Sequence, residues 1–170
     1  MIHQDLQAAL NSQINQEFSA AYNYLGMASH FEDQNLDGFA NWMLLQHDEE
    51  QAHGMRLLRY LQDRGGKVQL ADIKSPKLDY KNPLEVFQAS LLQEQKNTES
   101  INQLYELATN LNDHATKSHL QWFLDEQVEE EKSVEDVIGL LERIGDDTAG
   151  LLYLNDKLGE RKPGADAAEA

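Results

Sequence analysis

Cysteine is absent from the 170-residue chain. This absence excludes disulfide scaffolds, iron–sulfur clusters, zinc sites with thiolate ligands and cysteine nucleophiles. Any metal site in this protein must therefore be built from His, Asp or Glu side chains or from main-chain oxygen atoms.

Basic residues are scarce: 14 Lys and Arg stand against 30 Asp and Glu, which gives a formal net charge of −16. A nucleic-acid-binding protein needs a basic face that displaces counterions from phosphates. The charge therefore disfavours nucleic acid and anionic membranes as partners. It favours cations.

Long apolar runs are also lacking, since no window approaches the 18 or more consecutive apolar residues of a membrane span. The N-terminus, Met1 to Asp5, shows no basic stretch followed by an apolar one, so we expect no secretory signal and predict a cytoplasmic location. The 41% of hydrophobic residues is enough to fill the core of one domain.

Helix breakers are few, with three prolines in the chain. Apolar residues recur at spacings of three, four and seven, which predicts four long helices of roughly 28 residues each. Their predicted starts are Leu6, Leu36 or Asp37, Asn82–Pro83, and Asn112 or Asp113. A short fifth helix is predicted after the turn at Gly145.

The lengths of the connections predict how these helices are arranged. Short links join the first helix to the second and the third to the fourth, which favours antiparallel neighbours. Residues 65–82 lack periodicity and are long enough to cross the bundle. The predicted fold is therefore all-α: a ferritin-like four-helix up-down bundle (1–145) with one long crossover, a short fifth helix (146–159) and a disordered tail (160–170).

Carboxylates interrupt the apolar stripe of each long helix. They are Glu17, Glu50, Glu94 and Glu130, each some way in from the helix ends. Four buried, unpaired carboxylates would cost more than the roughly 5 to 15 kcal/mol by which a domain is stable. No Lys or Arg lies on these stripes to offset the charge, so we predict a bound metal.

Glu50 and His53 lie three residues apart, on adjacent positions of one helix face. One imidazole among many carboxylates suits iron or manganese better than zinc, and it disfavours calcium. The other histidines are expected to be surface or loop residues: His3, His30, His47, His114 and His119.

The fourth helix departs from the symmetric scheme of di-metal bundles, in which two helices give one Glu each and two give Glu-x-x-His. Here the fourth helix reads Gln127-x-x-Glu130 instead. Losing a carboxylate and an imidazole should weaken metal retention, as expected for a site through which metal passes.

The segments 45–55 and 122–132 resemble the second and fourth helices of the ferritins, specifically the bacterial non-haem ferritins with a ferroxidase centre. The resemblance covers about residues 1–158. It implies a first iron position at Glu17, Glu50 and His53, and a second at Glu50, Glu94 and Glu130, with Glu50 bridging. It further implies Gln127 as an outer-shell residue, Tyr24 as the nearby tyrosine, and a third iron position at Glu49, Glu126 and Glu129 that shares Glu130.

The resemblance also implies a function. It is that of a 24-subunit cage that oxidises iron(II) with oxygen or hydrogen peroxide and stores a ferric oxide mineral. No haem is expected, because Gln51 stands where the haem-binding relatives have their methionine ligand. An alternative from another class is a stable di-metal carboxylate oxidase, which would keep its metals as a permanent cofactor. A storage shell without catalysis would require the core ligands to be missing.

Overall fold

The computed structural model describes residues 2–164, which form five α-helices and no strand. The helices are α1 (Gln4–Asp33), α2 (Asp37–Asp63), α3 (Pro83–Asn110), α4 (His114–Ile144) and α5 (Thr148–Gly159). The predicted all-α bundle with a short fifth helix is confirmed. No helix in the described part combines the length and apolar character needed to cross a membrane.

Polar side chains define where the helices start. The Asn82 side chain accepts a hydrogen bond from the Glu85 N–H at 2.9 Å, and Pro83 occupies the first turn of α3. Asp113 accepts from the Thr116 N–H at 2.9 Å at the start of α4. These bonds satisfy N–H groups that have no partner within the helix.

Side-chain contacts between the helices show the direction in which each helix runs. Phe31 near the end of α1 stacks on Phe39 near the start of α2, with ring centroids 5.0 Å apart. Tyr24 of α1 bonds to Ser90, early in α3, so α1 also runs antiparallel to α3. Helices α2 and α3 consequently run in the same direction, which is why a long crossover joins them.

The crossover is held along α1 by amide side chains spaced one helical turn apart. Asn11 accepts from the Gln69 N–H at 2.7 Å, and Asn15 accepts from the Ala71 N–H at 2.8 Å while donating to the Gln69 carbonyl at 2.9 Å. These side chains supply the backbone hydrogen bonds that an extended segment would otherwise form with a neighbouring β-strand.

Two apolar clusters fill the two ends of the bundle. One contains residues from the α1–α2 turn, the start of α3, the end of α4 and α5. The other lies at the opposite end, around Leu10, Leu57 and Ile101. The mid-helix positions between the clusters hold buried polar side chains, so the bundle has a polar layer at its centre.

The segment after α5 makes defined contacts as far as it is described. The Arg161 side chain lies on α2, and the Asn41 side-chain amide donates to the Arg161 carbonyl at 3.3 Å. The predicted disordered tail therefore begins with an attached stretch. Its residues 165–170 lie outside the described part of the chain.

Candidate metal centre

Each of the four long helices contributes one carboxylate to the polar layer. These side chains are Glu17, Glu50, Glu94 and Glu130, with 0%, 1%, 0% and 5% relative exposure. The structure thus brings the four carboxylates singled out in the sequence into one buried layer. Their helical positions follow from the 3.6-residue period, which places each on the inward face.

Glu17, Glu50 and His53 are close enough to bind one ion. One ligand atom from each lies within 4.8 Å of the others, and His53 Nδ1 is 3.6 Å from Glu50 Oε2. Two carboxylates and one imidazole form a donor set that suits iron or manganese.

Glu50 is the most unusual group of the layer. Both of its side-chain oxygens are buried, and neither has a hydrogen-bond partner among residues 2–164. Burial and the charges of Glu94 and Glu17 raise the pKa of Glu50 well above its ordinary value. A cation bound between these carboxylates would give both Glu50 oxygens a partner and would offset the repulsion between the negative charges.

Glu94 is held by a tyrosine. The Tyr24 hydroxyl donates a hydrogen bond to Glu94 and also contacts the Ser90 hydroxyl at 2.8 Å. Burial raises the pKa of Glu94 to about 7, although the hydrogen bond from Tyr24 opposes this. Burial and the charge of Glu94 raise the pKa of the Tyr24 hydroxyl well above its ordinary value.

Glu130 is held from α2. The Gln46 side-chain amide donates to Glu130 Oε2 at 2.6 Å. Burial, followed by the charges of Glu94 and Glu49, raises the pKa of Glu130 to about 8. Near neutral pH such carboxyl groups hold protons, which a bound metal ion would replace.

Amide side chains of α1 and α3 surround Glu17. The Asn97 amide donates to Glu17 Oε2 at 3.0 Å, while its carbonyl oxygen accepts from Gln13 at 2.6 Å. Gln13 also donates to Glu17 Oε1 at 2.7 Å. These contacts fix both oxygens of a candidate ligand.

The sequence reasoning missed Gln13 and Asn97. The four-residue spacing from Glu94 would place Thr98 on the inward stripe, whereas Asn97 is the buried residue, with 1% exposure. The available signal was spacing, since Asn97 follows Glu94 by three residues and Gln13 precedes Glu17 by four. Those spacings put each amide one turn from a carboxylate on the same face.

Gln127 of α4 lies beside Glu94 and Asn97 of α3. Its amide donates to the Glu94 carbonyl at 3.2 Å and to the Thr98 hydroxyl at 3.1 Å, and its carbonyl oxygen accepts from Asn97 at 3.4 Å. Gln127 therefore connects α4 to α3 beside Glu94 without adding a charge to the layer.

The three residues of the predicted third iron position have different surroundings. One ligand atom of Glu126 lies within 4.8 Å of His53 and of Glu130. Glu49 instead forms an ion pair with Arg161 at 2.8 Å, and Glu129 is exposed. Within residues 2–164, the side-chain groups with metal-binding spacing include Glu126 but neither Glu49 nor Glu129.

The expectation that His30 is a surface or loop residue is wrong. His30 is buried, with 8% exposure, and its Nδ1 contacts the Leu78 carbonyl of the crossover at 3.1 Å. His119 is partly buried in α4 and stacks on Tyr60 with ring centroids 3.9 Å apart. Both histidines pack within the fold, and neither belongs to a described group of side chains with metal-binding spacing.

Comparisons with known proteins agree with this architecture. The family model described as Ferritin-like domain matches residues 7–144. The chain is 47% identical over 157 residues to a bacterial non-heme ferritin of Staphylococcus epidermidis, covering 92% of this chain and 94% of that protein. A bacterial non-heme ferritin of Staphylococcus aureus is 42% identical over 161 residues, with 95% and 97% covered.

Among solved structures, an open-pore ferritin of the hyperthermophilic archaeon Archaeoglobus fulgidus superposes with a TM-score of 0.94 at 40% sequence identity. The match covers 95% of this chain and 100% of that one. An engineered closed form of the Archaeoglobus fulgidus ferritin also gives a TM-score of 0.94 at 40% identity.

Proposed function

Because this chain belongs to the ferritin family, we propose that it stores iron and is a ferroxidase. It oxidises iron(II) to iron(III) with oxygen or hydrogen peroxide and retains the product as a ferric oxide mineral inside a homo-oligomeric cage. Iron is thus the substrate and the cargo. The cage is a 24-mer, the location is the cytoplasm and no haem is bound; these points rest on the sequence and on the family resemblance.

The main support for this proposal is that both Glu50 side-chain oxygens are buried in the carboxylate layer without a hydrogen-bond partner among residues 2–164. We assign the first iron to Glu17, Glu50 and His53, and the second to Glu50, Glu94 and Glu130. Glu50 then bridges the two ions, and each of its oxygens gains the partner that it lacks in the protein alone.

A shared carboxylate keeps two ions close enough for one oxidant to take an electron from each. Two iron(II) ions supply the two electrons that, with two protons, reduce oxygen to hydrogen peroxide. Where hydrogen peroxide is the oxidant instead, the two electrons of an iron(II) pair, with two protons, reduce it to two waters. Glu94 and Glu130 have raised pKa values, so metal binding displaces protons from them at neutral pH.

The alternative is a stable oxidase that keeps two metal ions as its cofactor. Gln127 argues against it, because this neutral side chain stands where the symmetric scheme has a ligand. With one ligand fewer, the second ion is held less firmly and is free to leave after oxidation. Passage of many ions through the centre is what storage requires.

The test adds two iron(II) ions per subunit to the apoprotein in air and follows ferric absorbance by stopped flow. Glu50→Gln should slow the initial oxidation at least tenfold, because it removes the bridging charge. Glu106→Gln, at an exposed position of α3, is the control and should oxidise iron at the wild-type rate. Equal rates for Glu50→Gln and wild type would contradict the proposal.

A second measurement separates storage from the alternative. Adding hundreds of iron ions per cage should give electron-dense cores by electron microscopy and a particle of cage size by gel filtration. A small oligomer that retains two ions per subunit after desalting, without a core, would identify the stable oxidase instead.

A further inference from the structure

Arg161 reaches from the segment after α5 to the edge of the metal centre. One guanidinium nitrogen lies 2.8 Å from Glu49 Oε2, and the other donates to Gln46 Oε1 at 2.5 Å. The Arg161 side chain is only 26% exposed and that of Glu49 only 13%. In the chain, Glu49 precedes Arg161 by 112 positions and Gln46 precedes it by 115.

Gln46 extends the contact to a candidate iron ligand. Its carbonyl oxygen accepts from Arg161, and its amide donates to Glu130 Oε2 at 2.6 Å. The result is a chain of hydrogen bonds from the guanidinium to Glu130. Each bond fixes the orientation of the next, since the Gln46 amide cannot rotate without losing both partners.

Neighbouring groups hold the guanidinium in place. It lies over the Trp42 ring, 4.8 Å from the ring centroid, and the Arg161 carbonyl accepts from the Asn41 amide. Arg161 is therefore a fixed positive charge beside Glu49 and Glu130. Side chains held in this way lose little additional freedom when they form an ion pair.

We propose that Arg161 is a positioning residue that occupies the cation position at Glu49 and holds Glu130 through Gln46, so that a third iron must displace its guanidinium. The inference rests on the proposed function and deepens it. The two-iron centre then fills first, while the C-terminal segment limits access of a further ion to the Glu49 side. A third ion bound there depends on detachment of Arg161.

The test is anaerobic titration of the assembled apoprotein with iron(II) by isothermal calorimetry. Arg161→Met should bind the third ion about tenfold more tightly than wild type, because a competing charge-assisted contact is gone. Lys162→Met removes an equal charge from the same segment and should leave the third ion at wild-type affinity.

Glu49→Gln completes a double-mutant cycle. It should weaken binding of the third ion, and adding Arg161→Met in this background should change nothing further, because the two residues act through one contact. Gel filtration of each variant confirms assembly. If Arg161→Met does not assemble, the same titration is made with Arg161→Lys. A single ammonium group cannot bridge Glu49 and Gln46 as the guanidinium does, so this variant should also bind the third ion more tightly than wild type.

Three results would overturn the role of Arg161: a third-ion affinity within twofold of wild type, an equal gain in Lys162→Met, or a gain that persists in the Glu49→Gln background. Failure of the proposed function would give a different result, in the wild-type protein rather than in the variants. In that case the wild-type protein itself would bind no pair of iron(II) ions and show no rapid oxidation.

Discussion

Asn155 of α5 caps the N-terminus of α2 at Gly38. Its side-chain oxygen accepts from the Gly38 N–H at 2.9 Å and from the Phe39 N–H at 3.2 Å. The local N-cap residue, Leu36, makes no such side-chain bond. The first turn of α2 is therefore completed by a helix more than 100 residues away in sequence.

The space at Gly38 gives the first prediction. A Cβ at this position would overlap the Asn155 carbonyl, so Gly38→Ala should displace α5 and lower the thermal unfolding midpoint. Asn155→Ala should cost about 1 kcal/mol, as expected for a lost cap. Gly139→Ala is the control, since its Cβ would meet nothing within 4 Å and Ala favours a helix. Equal midpoints for the two glycine variants would contradict this account.

The raised pKa values predict how the stability of the apoprotein depends on pH. Glu94 and Glu130 have pKa values of about 7 and about 8 in the folded state, against an ordinary value of 4.5. Between pH 4.5 and 8 the folded state therefore binds more protons than the unfolded one. Stability contributed by these groups falls as pH rises through that range.

The measurement is the thermal unfolding midpoint of the apoprotein between pH 5 and pH 8. The wild-type midpoint should fall across this range, and Glu130→Gln should fall less because the substituted amide does not titrate. Glu106→Gln should follow the wild type. A Glu130→Gln profile with the full wild-type slope would show that burial of Glu130 does not penalise its charge.

Much of this architecture was predictable from local sequence. Asn82 and Asp113 mark helix starts by accepting a hydrogen bond from the N–H three positions further on, and Pro83 stands in the first turn of α3. The inward positions of Glu17 and Glu50 follow from helical periodicity. Such features depend on neighbours along the chain, which the sequence displays directly.

Contacts between distant segments were not predictable in this way. The bond between Asn155 and Gly38 joins two helices that are remote in sequence, and Arg161 lies in a stretch expected to be disordered. The choice between Asn97 and Thr98 depends on how α3 is rotated against α1. A one-residue error in register is small on a helical wheel, but it exchanges a buried amide for a half-buried hydroxyl.

The hydrogen bonds that Gln13 and Asn97 make to Glu17 predict an effect on iron affinity. Asn97→Ala removes the donor to Glu17 and leaves Gln13 with one partner fewer. We expect a 10- to 100-fold loss in affinity for the first iron or in the initial oxidation rate, the usual cost of losing a residue that orients a ligand. Asn102→Ala, at an exposed position of α3, is the control; identical oxidation curves for the two variants would contradict the role of Asn97.

The predicted third iron position should depend unequally on its glutamates. Of the three, only Glu126 belongs to a group of metal-binding spacing within residues 2–164, with His53 and Glu130, whereas Glu129 is exposed. Glu126→Ala should therefore preserve the first oxidation burst but alter the ratio of iron to oxygen consumed and slow recovery for a second addition. Glu129→Ala should match wild type through repeated additions followed by stopped flow. If Glu129→Ala changed recovery as much as Glu126→Ala, the third ion would lie further toward the surface of α4 than these positions indicate.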